Sequence, residues 1–398
     1  MARTPQDPTP RKITVCGGGN GAQTLVPVAV RNLGCPVDVY APFSDEADRL
    51  RAGSASHDGL EVTGAVAGRA RPRRVSPDAA DVIPGSDLVV LVLPAFAHES
   101  TLRGIAPYLD EGAWVGAMPA RGGFDYCAEA ILREMGRTDV GLYGLQTLPW
   151  ACRIVEYGQL VHVLGVKQVV DAAARPAAET GPLAGLLARM LGLPIAAASS
   201  LMALTLANTG QLIHPGIMYA LFSDWDGVPF GADQIPLFYH SLEERGAGTL
   251  TGLSDEVQSL RTRLEPFLDL SAVRPLKEWL LRSYGEVIAD PSTLQSAFVT
   301  NRAYAGLKAP VREMSPGQYV PDLSARYLAE DVPFGLAVSR AIAHLAGVET
   351  PVMDQVIAWA GRCLGLDYLG QDIREARTPQ KYGLESLERL LAFACEKQ

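Results

Sequence analysis

One stretch of the chain holds residues whose types and spacing suit proton transfer. Leu206 to Gly227 is an apolar, helix-like run that polar groups interrupt. Asn208, Gln211 and His214 follow one another at intervals of three residues, so on a helix they share one face. Pro215 disfavours helical backbone at the residue before it, which predicts His214 at a helix end or kink. The alternative interpretation is a satisfied core histidine at a helix break.

A glycine-rich turn near the start of the chain suits a dinucleotide. A β-prone run at residues 12–16 ends in this turn, and residues 23–33 have a helical pattern. Strand, Gly-x-Gly-x-x-Ala and helix together direct backbone amides and a helix N-terminus at a pyrophosphate. A glycine turn without a ligand is the alternative. The predicted cofactor-binding residues of the turn are Gly17, Gly18, Gly19, Asn20, Gly21 and Ala22.

The end of the second predicted strand, residues 37–41, bears on the choice of cofactor. An acidic residue there would bind the ribose of NAD, and an arginine would accept the 2′-phosphate of NADP. Neither is present, because the chain continues as Ala-Pro-Phe-Ser. Asp45 and Glu46 follow, and they would repel a 2′-phosphate if they face the ribose. The pattern favours NADH and leaves NADPH open.

Three later strands are predicted to deliver their loops to one edge of the same sheet. Residues 87–94 form a continuous apolar run, which is typical of a strand buried on both faces. Residues 114–118 and 140–145 repeat the pattern. Open α/β sheets hold ligands at the carboxyl edge of their strands, so a substrate crevice is expected there, and Pro94 and Ala95 join the predicted cofactor site.

The segments between and after these strands complete the predicted architecture. Residues 57–75 resemble an inserted β-ribbon whose arginine cluster, at positions 69, 71, 73 and 74, is interpreted as a solvated turn. Residues 157–170 alternate like one or two strands, and residues 171–178 are interpreted as an Ala-rich linker or helix. Apolar residues at helical spacing then recur in three later segments, which are residues 257–268, 276–287 and 338–345.

These patterns predict an α/β plus all-α protein with two domains. The predicted parts are a disordered tail at residues 1–11, a Rossmann-type dinucleotide-binding domain at residues 12–197 and a helical domain at residues 198–398. A length of 398 residues is consistent with two domains.

Composition narrows the partners and the compartment. A net charge of −9 argues against nucleic acid or an anionic membrane as the main partner. The six cysteines are scattered without a CxxC pair, which indicates reduced thiols and no metal site. No run approaches the ~18 apolar residues of a membrane span. We therefore expect a cytoplasmic protein, monomeric or homodimeric, with small-molecule substrates.

Short blocks along nearly the whole chain, taken together, resemble the opine dehydrogenases, most closely the invertebrate octopine dehydrogenase type. The blocks lie at residues 16–22, 94–99, 147–154, 163–167, 214–217, 225–227, 236–239, 326–333 and 379–383. The resemblance implies a Rossmann domain followed by a helical opine dehydrogenase domain. It also implies an NADH-dependent, reversible condensation of a 2-oxo acid, usually pyruvate, with the amino group of an amino acid or taurine.

The resemblance further implies a catalytic set of His214, Arg326 and Asp331. Reduction of an imine or carbonyl carbon requires a proton donor, and histidine titrates in the useful range. A carboxylate can fix the imidazole tautomer, and a guanidinium can hold a substrate carboxylate. Asp331 as a simple N-cap and Arg326 as an ordinary surface arginine are the alternatives.

Five further residues are predicted to bind substrate, and these are Arg121, Thr147, Cys152, Asn208 and Gln211. Octopine-type enzymes tend to carry a neutral glutamine at the position of Arg121. A cation there is expected to favour a neutral or anionic amine donor over arginine. Strand-end packing is the alternative for Thr147 and Cys152.

Two other functions are compatible with the sequence. One is a two-domain NAD(P)-dependent dehydrogenase of a simple 2-hydroxy acid or polyol phosphate, and the other is a non-catalytic regulator that senses NAD(P)H. A requirement for an amine during NADH oxidation separates the first from an opine dehydrogenase. The second does not need the set of histidine, arginine and aspartate.

Overall fold

The computed structural model describes residues 9–370, 372 and 374–395 and divides them into two units. The first unit comprises residues 9–120 and 124–204, and the second comprises residues 121–123 and 205–395. The predicted domain boundary at 197/198 lies near the start of the second stretch. Of the predicted tail, residues 1–8 lie outside the described residues, whereas the Arg11 backbone N–H donates to Asp87 at 2.7 Å.

The first unit is built on strands that alternate with helices. The strands are β1 (Ile13–Cys16), β2 (Val37–Tyr40), β3 (Leu60–Gly64), β4 (Gly68–Ala70), β5 (Arg74–Ser76), β6 (Leu88–Leu91), β7 (Trp114–Ala117), β8 (Gly141–Leu145), β9 (Trp150–Glu156), β10 (Leu160–Val166), β11 (Val170–Arg175) and β12 (Ile195–Ala197). The helices are α1 (Asn20–Leu33), α2 (Glu46–Ser56), α3 (Ala79–Val82), α4 (His98–Ile105), α5 (Phe124–Glu134), α6 (Thr180–Leu191) and α7 (Leu201–Leu206).

The main sheet has the strand order of a nucleotide-binding fold. Eight strands pair in the order β12-β11-β8-β7-β6-β1-β2-β5. The six strands from β5 to β8 are all parallel, and the order in which the chain adds them to the sheet reverses between β1 and β6. Doubly wound sheets hold their ligands at such a point. All four residues of β1 and of β6 are buried, because helices cover both faces of the sheet. The predicted Rossmann-type domain is confirmed.

The predicted β-ribbon is confirmed as part of a second, four-stranded sheet in the order β4-β3-β10-β9. β3 and β4 are antiparallel, with Leu60 opposite Ala70 and Val62 opposite Gly68. The arginines of this region pair with carboxylates: Arg69 with Glu61, Arg71 with Asp58, and Arg73 with the buried Asp38. This cluster is therefore largely neutralised.

The interpretation of residues 171–178 as a linker or helix is wrong over its first half. Val170–Arg175 is strand β11, which is buried along its whole length. It pairs antiparallel to β8 and parallel to β12. Alanine has the highest helix propensity, but a buried site between two strands overrides a local preference of this size. The alanines leave room for close packing on both faces of the sheet.

The second unit is mainly helical. Its elements are α8 (Gly210–Phe222), β13 (Phe230–Gly231), α9 (Glu244–Leu264), α10 (Leu276–Tyr284), α11 (Leu294–Val299), β14 (Val311–Ser315), β15 (Gln318–Pro321), α12 (Arg326–Ala329), α13 (Ala337–Ala346), α14 (Pro351–Leu364) and α15 (Leu387–Cys395). A five-residue π-helix, Val332–Leu336, leads directly into α13. None of the helices in the described ranges is both long and apolar enough to cross a bilayer.

The predicted helical periodicities of the second unit are confirmed. The apolar residues Val257, Leu260 and Leu264 are all buried on one face of α9. α14 begins at Pro351, and a side chain from another helix caps its N-terminus. The Glu256 carboxylate accepts from the backbone N–H groups of Val352 at 2.6 Å and Met353 at 2.9 Å. A distant carboxylate thus satisfies N–H groups that the helix itself leaves open.

A buried carboxyl in α5 makes stability depend on pH. Burial raises the pKa of Asp125 from its ordinary 3.8 to about 6. A raised folded-state pKa means that the protonated side chain stabilises the fold at low pH and that this stability is lost as the pH rises through about 6. Asp125→Asn is expected to raise the free energy of unfolding at pH 8 by up to about 3 kcal/mol, an advantage that shrinks by roughly half at pH 5. Urea unfolding at the two pH values measures it.

The matched control is Glu134→Gln at the other end of α5, where the carboxylate is 62% exposed and pairs with Arg103. This variant is expected to show no gain in stability at pH 8. Equal pH dependence in wild type and Asp125→Asn would contradict the assignment.

Candidate active site

His214 lies inside helix α8 and not at its end. The helix runs from Gly210 to Phe222 with Pro215 in its second turn. A proline there removes only the N–H that would bond to the Gln211 carbonyl, and the buried apolar face of the helix holds the backbone in place. The predicted helix end at His214 is therefore wrong. Asn208 precedes the helix, so it does not share a helical face with Gln211 and His214.

A buried carboxylate orients the His214 imidazole. His214 Nδ1 lies 2.8 Å from Asp331 Oδ2, and the two side chains are 19% and 2% exposed. An ionised carboxylate only accepts hydrogen bonds, so Nδ1 carries the proton and Nε2 is left to exchange one. His214 Nε2 lies 3.2 Å from the Tyr239 hydroxyl. The ring stacks on Tyr327 with centroids 4.3 Å apart.

Asp331 occupies an N-cap position but does not act as a cap. It lies between α12 and the π-helix at Val332–Leu336, and its side chain makes no cap hydrogen bond. Its two oxygens instead contact His214 and Arg121. The alternative interpretation of Asp331 as a simple N-cap does not describe this side chain.

The guanidinium that contacts Asp331 belongs to Arg121 and not to Arg326. Arg121 Nη1 pairs with Asp331 Oδ1, and Arg121 Nε lies 3.6 Å from Glu330 Oε1. Arg326 donates from Nε to Glu330 Oε2 at 2.6 Å, and its side chain is 62% exposed. The structure thus brings together His214, Asp331, Arg121 and Glu330, with Arg326 at the outer end.

Asn208 and Gln211 differ in what their side chains do. Gln211 is fully buried and donates to the Thr205 carbonyl at 3.2 Å and to Ser339 Oγ at 3.0 Å, so it ties α8 to α13. Asn208 is 3% exposed, and its Nδ2 has no hydrogen-bond partner within the described ranges. A buried donor of this kind is costly unless a ligand uses it. Gln211 Oε1 also has no hydrogen-bond partner there, but two hydrogen bonds from its amide nitrogen hold the Gln211 side chain in place, so Asn208 is the better candidate for a substrate contact.

The glycine turn of the first unit fits a pyrophosphate. Gly17 has a φ of +125°, which favours glycine, and a Cβ there would lie 2.6 Å from the Val92 carbonyl oxygen. Around the Cβ position of Gly19, by contrast, no described atom lies within 4 Å. Open space therefore faces the N-terminus of α1, where backbone amides bind phosphate groups.

Two polar side chains border this turn at the second glycine. A Cβ on Gly18 would lie 2.6 Å from the Tyr157 hydroxyl and 3.0 Å from the Glu46 carboxyl carbon. Burial raises the pKa of Glu46, and it raises the pKa of Tyr157 to about 12. Glu46 Oε2 and the Tyr157 hydroxyl are buried without a hydrogen-bond partner in the described part of the chain. A ribose hydroxyl is the kind of group that would satisfy both.

The other predicted residues of the first unit have mixed surroundings. Asn20 opens α1, and its Oδ1 accepts from the Ile154 N–H at 2.7 Å, so its side chain fixes β9. Pro94 and Ala95 follow β6 at the carboxyl edge. Cys152 is 2% exposed in the hydrophobic core, and burial raises the pKa of its thiol. These surroundings fit the alternative given above, in which Cys152 only packs at a strand end. Thr147 lies half-buried in the turn after β8.

Several site residues were not predicted from the sequence. Tyr239 lies in one of the blocks that carry the family resemblance, which is the signal that could have indicated it. Glu330 directly precedes Asp331, and only the aspartate was assigned a role from the sequence. Tyr157 lies in a segment that was interpreted only as a strand. Contacts between residues this distant in sequence leave no local pattern.

Together the fold and the site define a dehydrogenase that uses a dinucleotide, with a histidine and aspartate pair in a helical second unit. Comparison with known proteins agrees. Residues 197–364 match the alpha-helical domain of the NAD/NADP octopine/nopaline dehydrogenases. The chain is 34% identical to the opine dehydrogenase of Haliotis discus hannai, covering 96% of this chain and 99% of the relative. It is 35% identical to the octopine dehydrogenase of Mizuhopecten yessoensis, covering 96% and 98%.

A solved octopine dehydrogenase with NADH and pyruvate superposes with a TM-score of 0.82 and 32% identity, covering 96% of this chain and 97% of the other. The chain belongs to the opine dehydrogenase family. It is an oxidoreductase that uses a nicotinamide dinucleotide and acts on a CH–NH bond.

Proposed function

We propose that the chain catalyses the reversible, NADH-dependent condensation of a short 2-oxo acid of the size of pyruvate with the amino group of an amino acid. The observation that carries the proposal is the hydrogen bond between His214 and the buried Asp331. Proton transfer at the amine and at the carbonyl oxygen is what separates this reaction from simple cofactor binding. The open glycine turn of the first unit supports the cofactor assignment.

His214 acts as base and then as acid through Nε2. It first takes a proton from the substrate ammonium, which frees the amine to attack the carbonyl carbon of the oxo acid. A C–N bond forms, and the protonated imidazole returns the proton to the hydroxyl group, which leaves as water. Bound NADH supplies the hydride that reduces the resulting C=N bond. With one further proton taken up, the products are the secondary amine, NAD+ and water.

The environment of His214 suits both steps. Asp331 stabilises the imidazolium while it exists and keeps the neutral ring in the tautomer whose Nε2 accepts a proton. The Tyr239 hydroxyl lies at hydrogen-bond distance from that same nitrogen. It can donate to the neutral ring and accept from the charged one, so it keeps Nε2 satisfied until substrate takes its place.

Two residues are proposed to hold the oxo acid and amine. The exposed guanidinium of Arg326 can bind a carboxylate, since Glu330 occupies only one side of it. The buried Nδ2 of Asn208 can donate to a substrate oxygen. Arg121 faces two carboxylates already, so the expectation that it favours an anionic amine donor loses its support.

Glu46 is proposed to select NADH over NADPH. Glu46 lies against Gly18 of the glycine turn, where its charge would oppose a 2′-phosphate. Glu46→Gln is expected to raise kcat/KM for NADPH relative to NADH by about 10-fold, because a repulsion of ~1–2 kcal/mol is removed. The measurement is the ratio of the two values at one pH.

Asp48→Asn is the matched control for that prediction. Asp48 lies on the exposed face of the same helix, where its side chain is 75% exposed. We expect no change of cofactor ratio in this variant. An unchanged ratio in Glu46→Gln would show that the carboxylate does not face the 2′ position.

The proposed function is tested by following NADH absorbance with purified protein. Pyruvate is supplied alone and then with each of a panel of amino acids and taurine, and NADPH is run in parallel. Oxidation that requires an amine supports the proposal and identifies the donor. Oxidation with pyruvate alone would indicate a hydroxy-acid dehydrogenase, and NADH binding without turnover would indicate a sensor; either result overturns it.

The site of action is proposed as the cytoplasm, with the chain as a monomer or homodimer. The six cysteines all lie within the described residues and form no disulfide there, and four of them are buried. Reduced thiols of this kind are typical of proteins in a reducing compartment such as the cytoplasm. Sedimentation of the purified protein distinguishes the two oligomeric states.

A further inference from the structure

Arg121 belongs to the second unit, but it lies in a three-residue segment far ahead of the rest of that unit in the sequence. Residues 121–123 follow β7 and belong to the second unit, although the chain on both sides belongs to the first. The Gly123 N–H donates to Thr205 Oγ1 at 3.0 Å. A Cβ on Gly122 would lie 3.0 Å from the Phe334 carbonyl oxygen and 3.2 Å from Val338 Cβ. Close packing at Gly122 and the hydrogen bond at Gly123 therefore fix the backbone that carries Arg121.

The side chain of Arg121 lies in a row of charges of alternating sign. In order, the row is Arg326, Glu330, Arg121, Asp331 and His214. Glu330 and Asp331 are adjacent in sequence and only 1% and 2% exposed. Two buried carboxylates this close repel each other, and a cation between them offsets the repulsion. Arg121, itself 12% exposed, is that cation.

We propose that Arg121 is a positioning residue. Its guanidinium holds the Glu330 and Asp331 carboxylates side by side behind His214 and offsets their repulsion. The two arginines offset the charge of the two carboxylates, so Glu330 and Asp331 can both stay ionised side by side behind the ring. His214 can then gain and lose a proton within one catalytic cycle. This inference rests on the proton-transfer role in the proposed function.

In the described part of the chain, the His214 ring contacts Asp331 of the row and several aromatic side chains. Asp331 and Tyr239 contact the two ring nitrogens, Tyr327 stacks on the ring, and Phe238 lies with its centroid 6.1 Å away. A Cβ on Gly210 would lie 3.0 Å from Arg121 Nη1 and 3.8 Å from His214 Cε1, so the guanidinium is close to the imidazole. Removing one charge from the row therefore changes the field at the ring with a fixed sign.

The sign distinguishes this role from substrate binding and from simple structural support. Without the Arg121 charge, the row becomes net negative and favours the imidazolium. Without the Glu330 charge, the row becomes net positive and disfavours it. Loss of structural support alone would give shifts whose sign does not follow the charge removed, and loss of substrate binding alone would change KM without moving the pH optimum of kcat.

The experiment is an NMR titration of the His214 ring in the full-length chain, with His214→Ala used to assign the signal. Arg121→Gln is expected to move the midpoint upward by about one pH unit, and Glu330→Gln to move it downward by about the same amount. Arg121→Lys keeps the charge, so its midpoint stays close to that of wild type. In the double variant Arg121→Gln/Glu330→Gln the shifts oppose each other, and the midpoint returns towards wild type.

Steady-state kinetics add a second readout. The pH optimum of kcat in Arg121→Gln is expected to follow the shifted midpoint, whereas a change confined to KM indicates substrate binding. Unshifted midpoints in both single variants, or shifts of the same sign, would overturn the inference. If Arg121→Gln does not fold, the downward shift expected for Glu330→Gln and the unchanged midpoint expected for Arg121→Lys still test the inference.

The titration needs no turnover, so the two proposals can fail separately. Full activity in His214→Ala would refute the proton-transfer role, while the titration would still judge the charge row. Loss of activity in that variant with unshifted midpoints elsewhere would refute the role of Arg121 alone.

Discussion

Replacing His214 with alanine is expected to lower turnover by ~10²–10⁴-fold while leaving the dissociation constant for NADH nearly unchanged. In the proposed mechanism Nε2 of this imidazole exchanges protons with substrate, whereas the glycine turn that suits the cofactor lies in the first unit. Turnover at saturating substrates and NADH binding by fluorescence titration, measured on the same preparation, give the two quantities.

His344→Ala provides the control for this prediction. His344 is an exposed histidine near the end of α13, and its loss is expected to leave turnover unchanged. A further check is the addition of imidazole to the His214→Ala variant, which should restore part of the activity if the missing group is a proton carrier. Wild-type turnover in His214→Ala would remove the histidine from the mechanism.

Replacing Asp331 with asparagine is expected to lower kcat/KM by a similar factor, ~10²–10⁴. An amide at this position can donate to Nδ1, so it stabilises the tautomer in which Nε2 carries the proton and cannot accept one. The change also leaves the Arg121 guanidinium facing one carboxylate in place of two. The loss should appear in single-turnover kinetics, and the chemical shifts of the ring nitrogens of His214 should report the changed tautomer.

Asp354→Asn is the matched control for the aspartate. Asp354 accepts from Arg340 at 3.0 Å in the same unit, but its side chain is 41% exposed, and exposed pairs contribute little. We expect wild-type kinetics for it. If Asp331→Asn shifts the tautomer without a loss of rate, proton transfer at His214 does not limit the reaction.

Most of the first unit could be predicted because its strands are short apolar runs bounded by glycine and proline. β6, for example, is Leu-Val-Val-Leu within an apolar run that begins after Asp87 and ends at Pro94, and every one of its side chains is buried. β11 was missed because alanine carries no β-branched or aromatic signal, and what makes it a strand is its pairing with β8. Local propensity is a weak prior where a sheet supplies partners on both sides.

The site was predictable in part and for a definite reason. His214 and Asp331 were named from blocks that resemble a family, and the structure brings them within hydrogen-bond distance. The pairing of Arg121 with Asp331 was not predicted, because no periodicity relates residues so distant along the chain. The helix through Pro215 was also missed, since the conformational preference of a residue before proline is local and tertiary packing outweighs it.

Residues 121–123 belong to the second unit but lie within the sequence of the first, so a single cut in the chain cannot separate the two units intact. A fragment that begins at Thr205 would contain Glu330 and Asp331 but not the guanidinium that separates them. During synthesis, likewise, Arg121 leaves the ribosome long before the carboxylates that will bind it. The helical unit is therefore not a self-contained module, and swapping it between relatives requires that the three residues after Ala120 travel with it.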